Sequence, residues 1–458
     1  SRMPLSASWM TGGIFVALLL WMTPGCYGQE LNCFQEEQKN VCEDKDKNCK
    51  VWADESGQCQ ENAQWMLSNC RKACGRCDHF GVEDFNMAVF KELSVNSNSS
   101  VFMSPYSLWS AFLLTYFGSE GTTKNQLEAA LGVRGKKETH KEWKLLDFFL
   151  QKPYQQTGTT FRILNKAYFD TSVPLKKCIS ELIYNLQELN FEDKQATADI
   201  INEEVRNTTE GMIPKLIKAK DLRAANFLLL NAVYFKGNWE TQFDSKYTER
   251  RDFKSEQEKS SVLGKVDMMF DPKRSLKLVK YAPLNAEIAE IPYDNSTISM
   301  ILIKPYWDVA TLDSVLSNLT SANLQDAMSQ MVNSTVQLGI PKFRMETRIE
   351  RDLVKAMNVL GVTEIFSGRA DLSGFSRVPL HVDKVIHEAV VEVTEEGTRA
   401  AAATAVLGTR FSYPQLAMNK PFIFLIHDKS ANVTLFAGTF RHPDDAKPLP
   451  TLRSFILE

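Results

Sequence analysis

The residue types with most capacity for chemistry cluster near the two ends of this chain. Eight of its nine cysteines, Cys26, Cys33, Cys42, Cys49, Cys59, Cys70, Cys74 and Cys77, lie in the first 77 residues, and only Cys178 lies beyond. Thiols at that density either hold zinc or oxidise to disulfides. No histidine is interleaved with them and no second C-x-x-C stands opposite Cys74–Cys77, so oxidation is the expected chemistry and no metal site is expected. Near the other end, Glu395-Glu396-Gly397-Thr398-Arg399-Ala400-Ala401-Ala402-Ala403-Thr404-Ala405-Val406 is a run without proline in which small side chains predominate after Glu396. Such a run enters a crowded sheet at little steric cost. It could equally form helix by propensity, and physics alone leaves that choice open.

Activated nucleophiles are not apparent. The chain has no G-x-S-x-G elbow, no G-x-x-x-x-G-K-[ST] loop and no G-x-G-x-x-G after a strand. His387 has no partnered nucleophile in the sequence and reads as a satisfied buried histidine. A catalyst is therefore not expected.

The elements that must position these residues belong to two units. The 458 residues are 44% hydrophobic and 24% charged with a net charge of −3, which argues against disorder and gives no basic footprint for nucleic acid. The cysteine imbalance sets a boundary near residue 80, with a stapled module before it and a domain large enough to need no staples after it. Residues 12–22 form an apolar run before Pro24-Gly25, too short to span a bilayer comfortably. It reads as a leader cut after Gly28, with a membrane anchor as the alternative. Export would give meaning to the N-x-S/T triplets at Asn98, Asn207, Asn295, Asn318, Asn333 and, most weakly, Asn432. The expected division is a leader at 1–28, a linker at 29–41, the module at 42–77, the large domain at 80–443 and a tail at 444–458.

Within the large domain, Phe85 to Leu93 and Ser107 to Phe117 have helical patterns, the second wholly apolar after Ser104-Pro105. Phe227 to Phe235 suits a strand covered on both faces. Val336 to Phe343, Val385 to Glu395, Phe422 to His427 and Thr434 to Phe440 also read as strands. Helices early and strands late predict an α+β fold.

The module has the spacing C-x6-C-x2-W-x6-C-x10-C-x3-C-x2-C with Gly57, Asn62, Trp65-Met66 and Cys74-Gly75-x-Cys77. It resembles the ShK-like domain, known from a sea-anemone channel toxin. The resemblance implies pairs Cys42–Cys77, Cys49–Cys70 and Cys59–Cys74; spacing alone selects none of the fifteen pairings. Toxins of that family block potassium channels with a Lys-Tyr pair, where this chain has Gln64 and Trp65. The resemblance therefore carries tethering or protein interaction, and not channel block.

Residues 80 to 443 resemble a serpin. The resemblance rests on Phe102-Met103-Ser104-Pro105-x-Ser107, Asn231 to Trp239, Ile340-Pro341-Lys342-Phe343, Ala370 to Gly374, the run from Glu395, Asn419 to Ile426 and Leu435 to Gly438, all in family order. It implies about nine helices, three β-sheets and an exposed reactive-centre loop. The implied activity is suicide inhibition of a serine protease: the protease cleaves a bait bond, is held as an acyl-enzyme, and is dragged as the loop inserts into the central sheet. A covalent complex with that protease is the expected partnership, the free inhibitor being a monomer. The implied hinge is Glu395, Glu396, Gly397, Thr398, Arg399, Ala400, Ala401, Ala402 and Ala403, with Thr398 the first inserted side chain and Arg399 facing solvent. Ser104, Ser107, Asn231 and His387 correspond to the shutter beneath the opening sheet; Trp239 and the Lys342–Glu395 pair correspond to the breach where insertion begins.

Two family rulers disagree on the bait bond. Counting from Gly397 gives Phe411–Ser412 and chymotrypsin-like targets; counting back from Asn419 gives Arg410–Phe411 and trypsin-like ones. The hinge ruler is preferred, because that length sets how far the protease is carried. The mildly basic stretch Arg134 to Lys144 stands where some serpins bind heparin, but its two glutamates favour a solvated helix. No other cofactor is expected. Rival readings are a non-inhibitory serpin acting as carrier, chaperone or storage protein, and a protein whose ShK-like module is the active part.

Overall fold

The computed structural model describes residues 34, 44, 46–54, 58, 70, 73, 81–151, 159–256, 261–294, 297–396 and 413–447. In the cysteine-rich module, helix α1 (Cys49–Asp54) begins at a cysteine that is joined to Cys70. Both sulfurs are buried, and Asp44 accepts the backbone N–H of Ala73 at 3.0 Å. That disulfide is one of the three pairs implied above; the other four cysteines lie outside the described residues.

The large domain contains, in order, α2 (Val82–Ser94), β1 (Phe102–Met103), α3 (Pro105–Gly118), α4 (Gly121–Leu131), α5 (Lys136–Gln151), β2 (Thr160–Asp170), α6 (Lys177–Leu182), β3 (Leu186–Leu189), α7 (Lys194–Thr208), β4 (Phe227–Lys236), β5 (Glu249–Lys254), β6 (Val262–Tyr281), β7 (Ala286–Pro292), β8 (Ile298–Pro305), α8 (Leu312–Asn318), α9 (Ser321–Ser329), β9 (Val332–Ile349), α10 (Arg351–Val359), β10 (Lys384–Val393), β11 (Gln415–Ala417), β12 (Phe422–Asp428) and β13 (Val433–Phe440). Helix α3 starts two residues before the predicted Ser107, at Pro105 itself. Ser104 caps it, its hydroxyl accepting the Ser107 N–H, and Pro105 follows at a position with no N–H to lose. All fourteen residues of α3 are buried, as an all-round apolar helix requires.

The three sheets implied by the resemblance are continuous with one another. Hydrogen bonds run along β1-β13-β12-β8-β7-β6-β9-β10-β4-β2-β3. The long strand β9 makes the join: Val332 to Lys342 pair with β6, and Phe343 to Ile349 pair with β10. The sheet that matters for function is β9-β10-β4-β2-β3. In it β10 lies directly beside β4 and parallel to it, over nine residue pairs from Lys384↔Leu228 to Glu392↔Lys236. One face of this sheet packs on the main core with α3; the other packs on a smaller core in which Ala198, Ile201 and Val205 of α7 join Leu228 and Leu230 of β4 and Ile386 and Val390 of β10.

Candidate functional site

The strand faces explain how polar groups come to sit under this sheet. Phe227, Leu229, Asn231, Val233 and Phe235 alternate on one face of β4, so Asn231 is the one polar residue in an apolar row. The pairing places His387 of β10 and Asn165 of β2 opposite it on either side. Three polar side chains therefore form a line across three strands, aimed at the N-terminus of α3.

Their hydrogen bonds close on one another. Ser107 Oγ donates to Asn165 Oδ1 at 2.8 Å, and Asn231 Nδ2 donates to Asn165 and to the Ser107 carbonyl. His387 Nδ1 bonds Asn231 Oδ1, and His387 Nε2 accepts the Ser104 N–H at 3.1 Å. Ser104 Oγ donates to the Leu435 carbonyl at 2.6 Å. The structure thus brings Ser104, Ser107, Asn231 and His387 into one buried network. Because Nε2 accepts, Nδ1 carries the proton and the ring is neutral. Burial agrees, lowering the His387 pKa to about 3. Neither serine hydroxyl donates to His387, since Ser104 Oγ bonds the Leu435 carbonyl and Ser107 Oγ bonds Asn165, so the arrangement suits a latch and not a base–nucleophile pair.

Asn165 and its neighbour Asn185, which donates to the Asn165 carbonyl at 2.8 Å, are the members the sequence reading missed. A signal was present: Phe161, Ile163, Asn165, Ala167 and Phe169 alternate as a strand with a polar residue at mid-face.

The residues grouped as the breach meet at the end of β10. Trp239 Nε1 donates to the Thr394 carbonyl at 2.8 Å, and its ring stacks on Tyr293 at 4.6 Å. The backbone N–H groups of Trp239 and Phe243 bond the carbonyls of Glu396 and Glu395. Lys342 Nζ lies 2.7 Å from Glu395 Oε2, and Thr248 donates to Oε1 at 2.9 Å. Burial opposes the Glu395 charge, but the hydrogen bonds from Lys342 and Thr248 outweigh it and hold the carboxyl below the usual range. Glu396 pairs with Lys236 at 3.0 Å.

Glu395 and Glu396 are thus placed. Gly397, Thr398, Arg399, Ala400 to Ala403, Arg410, Phe411 and Ser412 lie outside the described residues. The chain is described again from Tyr413, just before β11 pairs in parallel with Gln337 to Gly339 of β9.

Of the acceptor candidates, Asn98, Asn207, Asn318, Asn333 and Asn432 are exposed, and Asn295 lies outside the described residues. The basic stretch falls on α5 and the turn before it. Lys136 is buried there, bonded to Glu120 at 2.7 Å, while Lys141 pairs with Glu138 at 3.7 Å. Among the described residues no cluster of His, Cys, Asp or Glu suits a metal, and no helix is long and apolar enough to cross a membrane.

Known proteins share this architecture. Residues 41–77 match the family described as ShK domain-like. A curated relative, Serpin B8 of Homo sapiens, is 32% identical over 78% of this chain and 97% of its own. Iripin-3 of Ixodes ricinus is 30% identical over 78% of this chain and 93% of its own. Among solved structures, maspin superposes with a TM-score of 0.71 at 26% identity, covering 80% of this chain and 98% of that one. Residues 81–443 match the family described as Serpin (serine protease inhibitor), and the chain, carrying that family's sequence over most of its length and its fold around the paired strands β4 and β10, belongs to the serpins.

Proposed function

We propose that this protein is a secreted, monomeric suicide inhibitor of serine endopeptidases, with residues 397–412 as its bait loop. The observation that carries the reading is the direct parallel pairing of β4 with β10. The loop leaves from the end of β10, so a cleaved hinge folding back would run antiparallel to both strands and could pair with each. Parallel pairs are slightly weaker than antiparallel ones, and the small side chains of Thr398 and Ala400 to Ala403 would meet little resistance.

The protease serine attacks the bait carbonyl, the amine of the next residue leaves, and an ester joins bait to enzyme. Insertion of about fifteen residues at roughly 3.3 Å each moves the enzyme on the order of 50 Å. The displaced enzyme loses its oxyanion hole, and water no longer releases the ester. Inserting a strand requires breaking the His387–Asn231 bond across the seam and releasing the hydrogen bonds that Trp239 and Phe243 make to residues 394–396.

Phe411 as specificity residue supports a chymotrypsin-like target, since an apolar slot accepts an aromatic ring; Arg410 would suit a trypsin-like one. Support for a heparin-like polysaccharide is confined to Arg134, Lys137, Lys141 and Lys144, because Lys136 is already held by Glu120.

Incubation with chymotrypsin and, separately, trypsin tests the proposal. The expected product is a complex that survives boiling in SDS, with the summed mass less the C-terminal peptide. Cleavage of the loop by both enzymes with no such complex would overturn the inhibitory reading and leave a non-inhibitory serpin.

A further inference from the structure

We infer that Cys178 is disulfide-bonded to Cys33, so that the segment joining the two modules is covalently stapled to the serpin domain. Cys178 is oxidised: it is in a disulfide, and it sits on the exposed side of α6, while Ile179 and Leu182 face the core. It is the only cysteine of the large domain, so its partner must come from the first 77 residues. Cys49 is taken by Cys70. The ShK-like match accounts for Cys42, Cys59, Cys74 and Cys77 among themselves, and Cys26 belongs to the apolar leader. Cys33 is left.

A second observation, independent of counting, places the neighbour of Cys33 on the large domain, against α3 and α5. Phe34 is buried, with its ring 5.8 Å from Phe117 of α3 and 6.0 Å from His140 of α5. Two chains of contact lead from there to α6. Phe117 lies 5.8 Å from Trp143, which stacks on Tyr184 at 6.4 Å, two residues beyond the end of α6. On the other side, Gly118 touches the Phe375 ring so closely that a Cβ would come within 2.1 Å of it, and the Phe375 carbonyl accepts the Lys176 N–H at the start of α6. Phe34 is therefore linked through two sets of packed side chains to the segment that carries Cys178, and the residue before it in sequence is the cysteine that counting leaves over.

Bond formation removes one proton from each thiol and passes the electron pair to an oxidised protein dithiol of the C-x-x-C class, as in an oxidising compartment. The consequence is positional. Only eight residues separate Cys33 from Cys42, and three separate Cys77 from Gly81. The ShK-like module is thus held at both ends, on leashes of roughly 30 and 13 Å at full extension. A partner gripping the module is thereby kept within a short reach of the inhibitor, which raises its effective concentration there.

The intact protein, digested without reduction by trypsin plus a glutamyl endopeptidase, provides the test. Peptide Leu31–Glu36 should be joined to Cys178–Glu181, and the pair should separate on reduction. Cys178 joined to a peptide carrying Cys26 or a module cysteine, or either Cys33 or Cys178 alkylated before reduction, would overturn the assignment. In a Cys33→Ser/Cys178→Ser variant, a broad-specificity protease should cut the 34–41 segment at least ten-fold faster; an unchanged rate would overturn the staple's role in holding the linker.

Discussion

His387 accepts the backbone N–H of Ser104 at 3.1 Å and so ties the strand that borders the seam to the cap of the most buried helix. The bond requires an imidazole without a proton on Nε2. Protonation would replace it with two facing donors in a site that holds no counter-charge within the network.

Acid should therefore loosen the protein before its carboxylates titrate. The pKa of His387 falls from an ordinary 6.5 to about 3 in the fold, so between those values the unfolded chain binds a proton that the folded one does not. Stability is then full above pH 6.5 and declines as pH drops below it, by up to about 1.4 kcal/mol per pH unit. Urea midpoints from pH 7 to pH 4.5 measure this. His387→Gln, which can still accept from Ser104, should flatten the slope, and equal slopes would remove His387 as the cause.

Breaking the Lys342–Glu395 pair should ease opening at the end of β10. Lys342→Ala leaves a partly buried carboxylate without its cation, at a cost of roughly 1–3 kcal/mol. A synthetic peptide spanning residues 398–411 should then enter the sheet faster than in the parent protein, measured by the rise in thermal stability on incubation. Uptake at the parental rate would mean that the pair does not hold the seam.

Thr398→Arg should turn an inhibitor into a substrate. An arginine entering the sheet interior loses its hydration without a partner, so insertion slows while cleavage does not. The readout is the ratio of cleaved to complexed protein, expected to rise at least ten-fold with the fold intact by circular dichroism.

The bait bond is read from the peptide released on complex formation. A fragment beginning at Ser412 identifies Phe411 as the specificity residue, which is the expected result. One beginning at Phe411 would transfer that role to Arg410.

Helix α5 should behave as a solvated face. Elution from heparin below about 0.15 M salt is expected, where surface charge is screened beyond ~8 Å. Retention above that, abolished by Lys137→Ala/Lys141→Ala, would instead establish the polysaccharide as a ligand; Lys136 is unsuitable for this test because its replacement would strand Glu120.

Much of the architecture was legible where period and capping agree. Ser104-Pro105 marked the start of α3, and the run from Phe227 marked β4 to within a residue. Strand β9 proved longer at both ends than its apolar middle, because polar side chains there interrupt or replace the buried positions. The twenty-residue β6 was missed for the same reason. The family resemblance supplied the expected roles of Asn231 and His387; Asn165 stood out locally as a polar residue at mid-face, but joining it to them needed a register between strands nearly seventy residues apart. Cys178 was equally opaque: a lone exposed cysteine on a short helix looks inert until its oxidised state is seen.

In the proposed mechanism, the small core beneath α7 would make trapping a race against a clock. Ala198, Ile201 and Val205 share that core with residues from both sides of the seam, so a strand arriving there must disturb the helix before it can pass. Meanwhile the ester is exposed to water, and the protease escapes if hydrolysis finishes first. On that proposal the depth of the helix–sheet contact would set how many inhibitor molecules are spent per enzyme captured, a quantity governed by residues that never touch the protease.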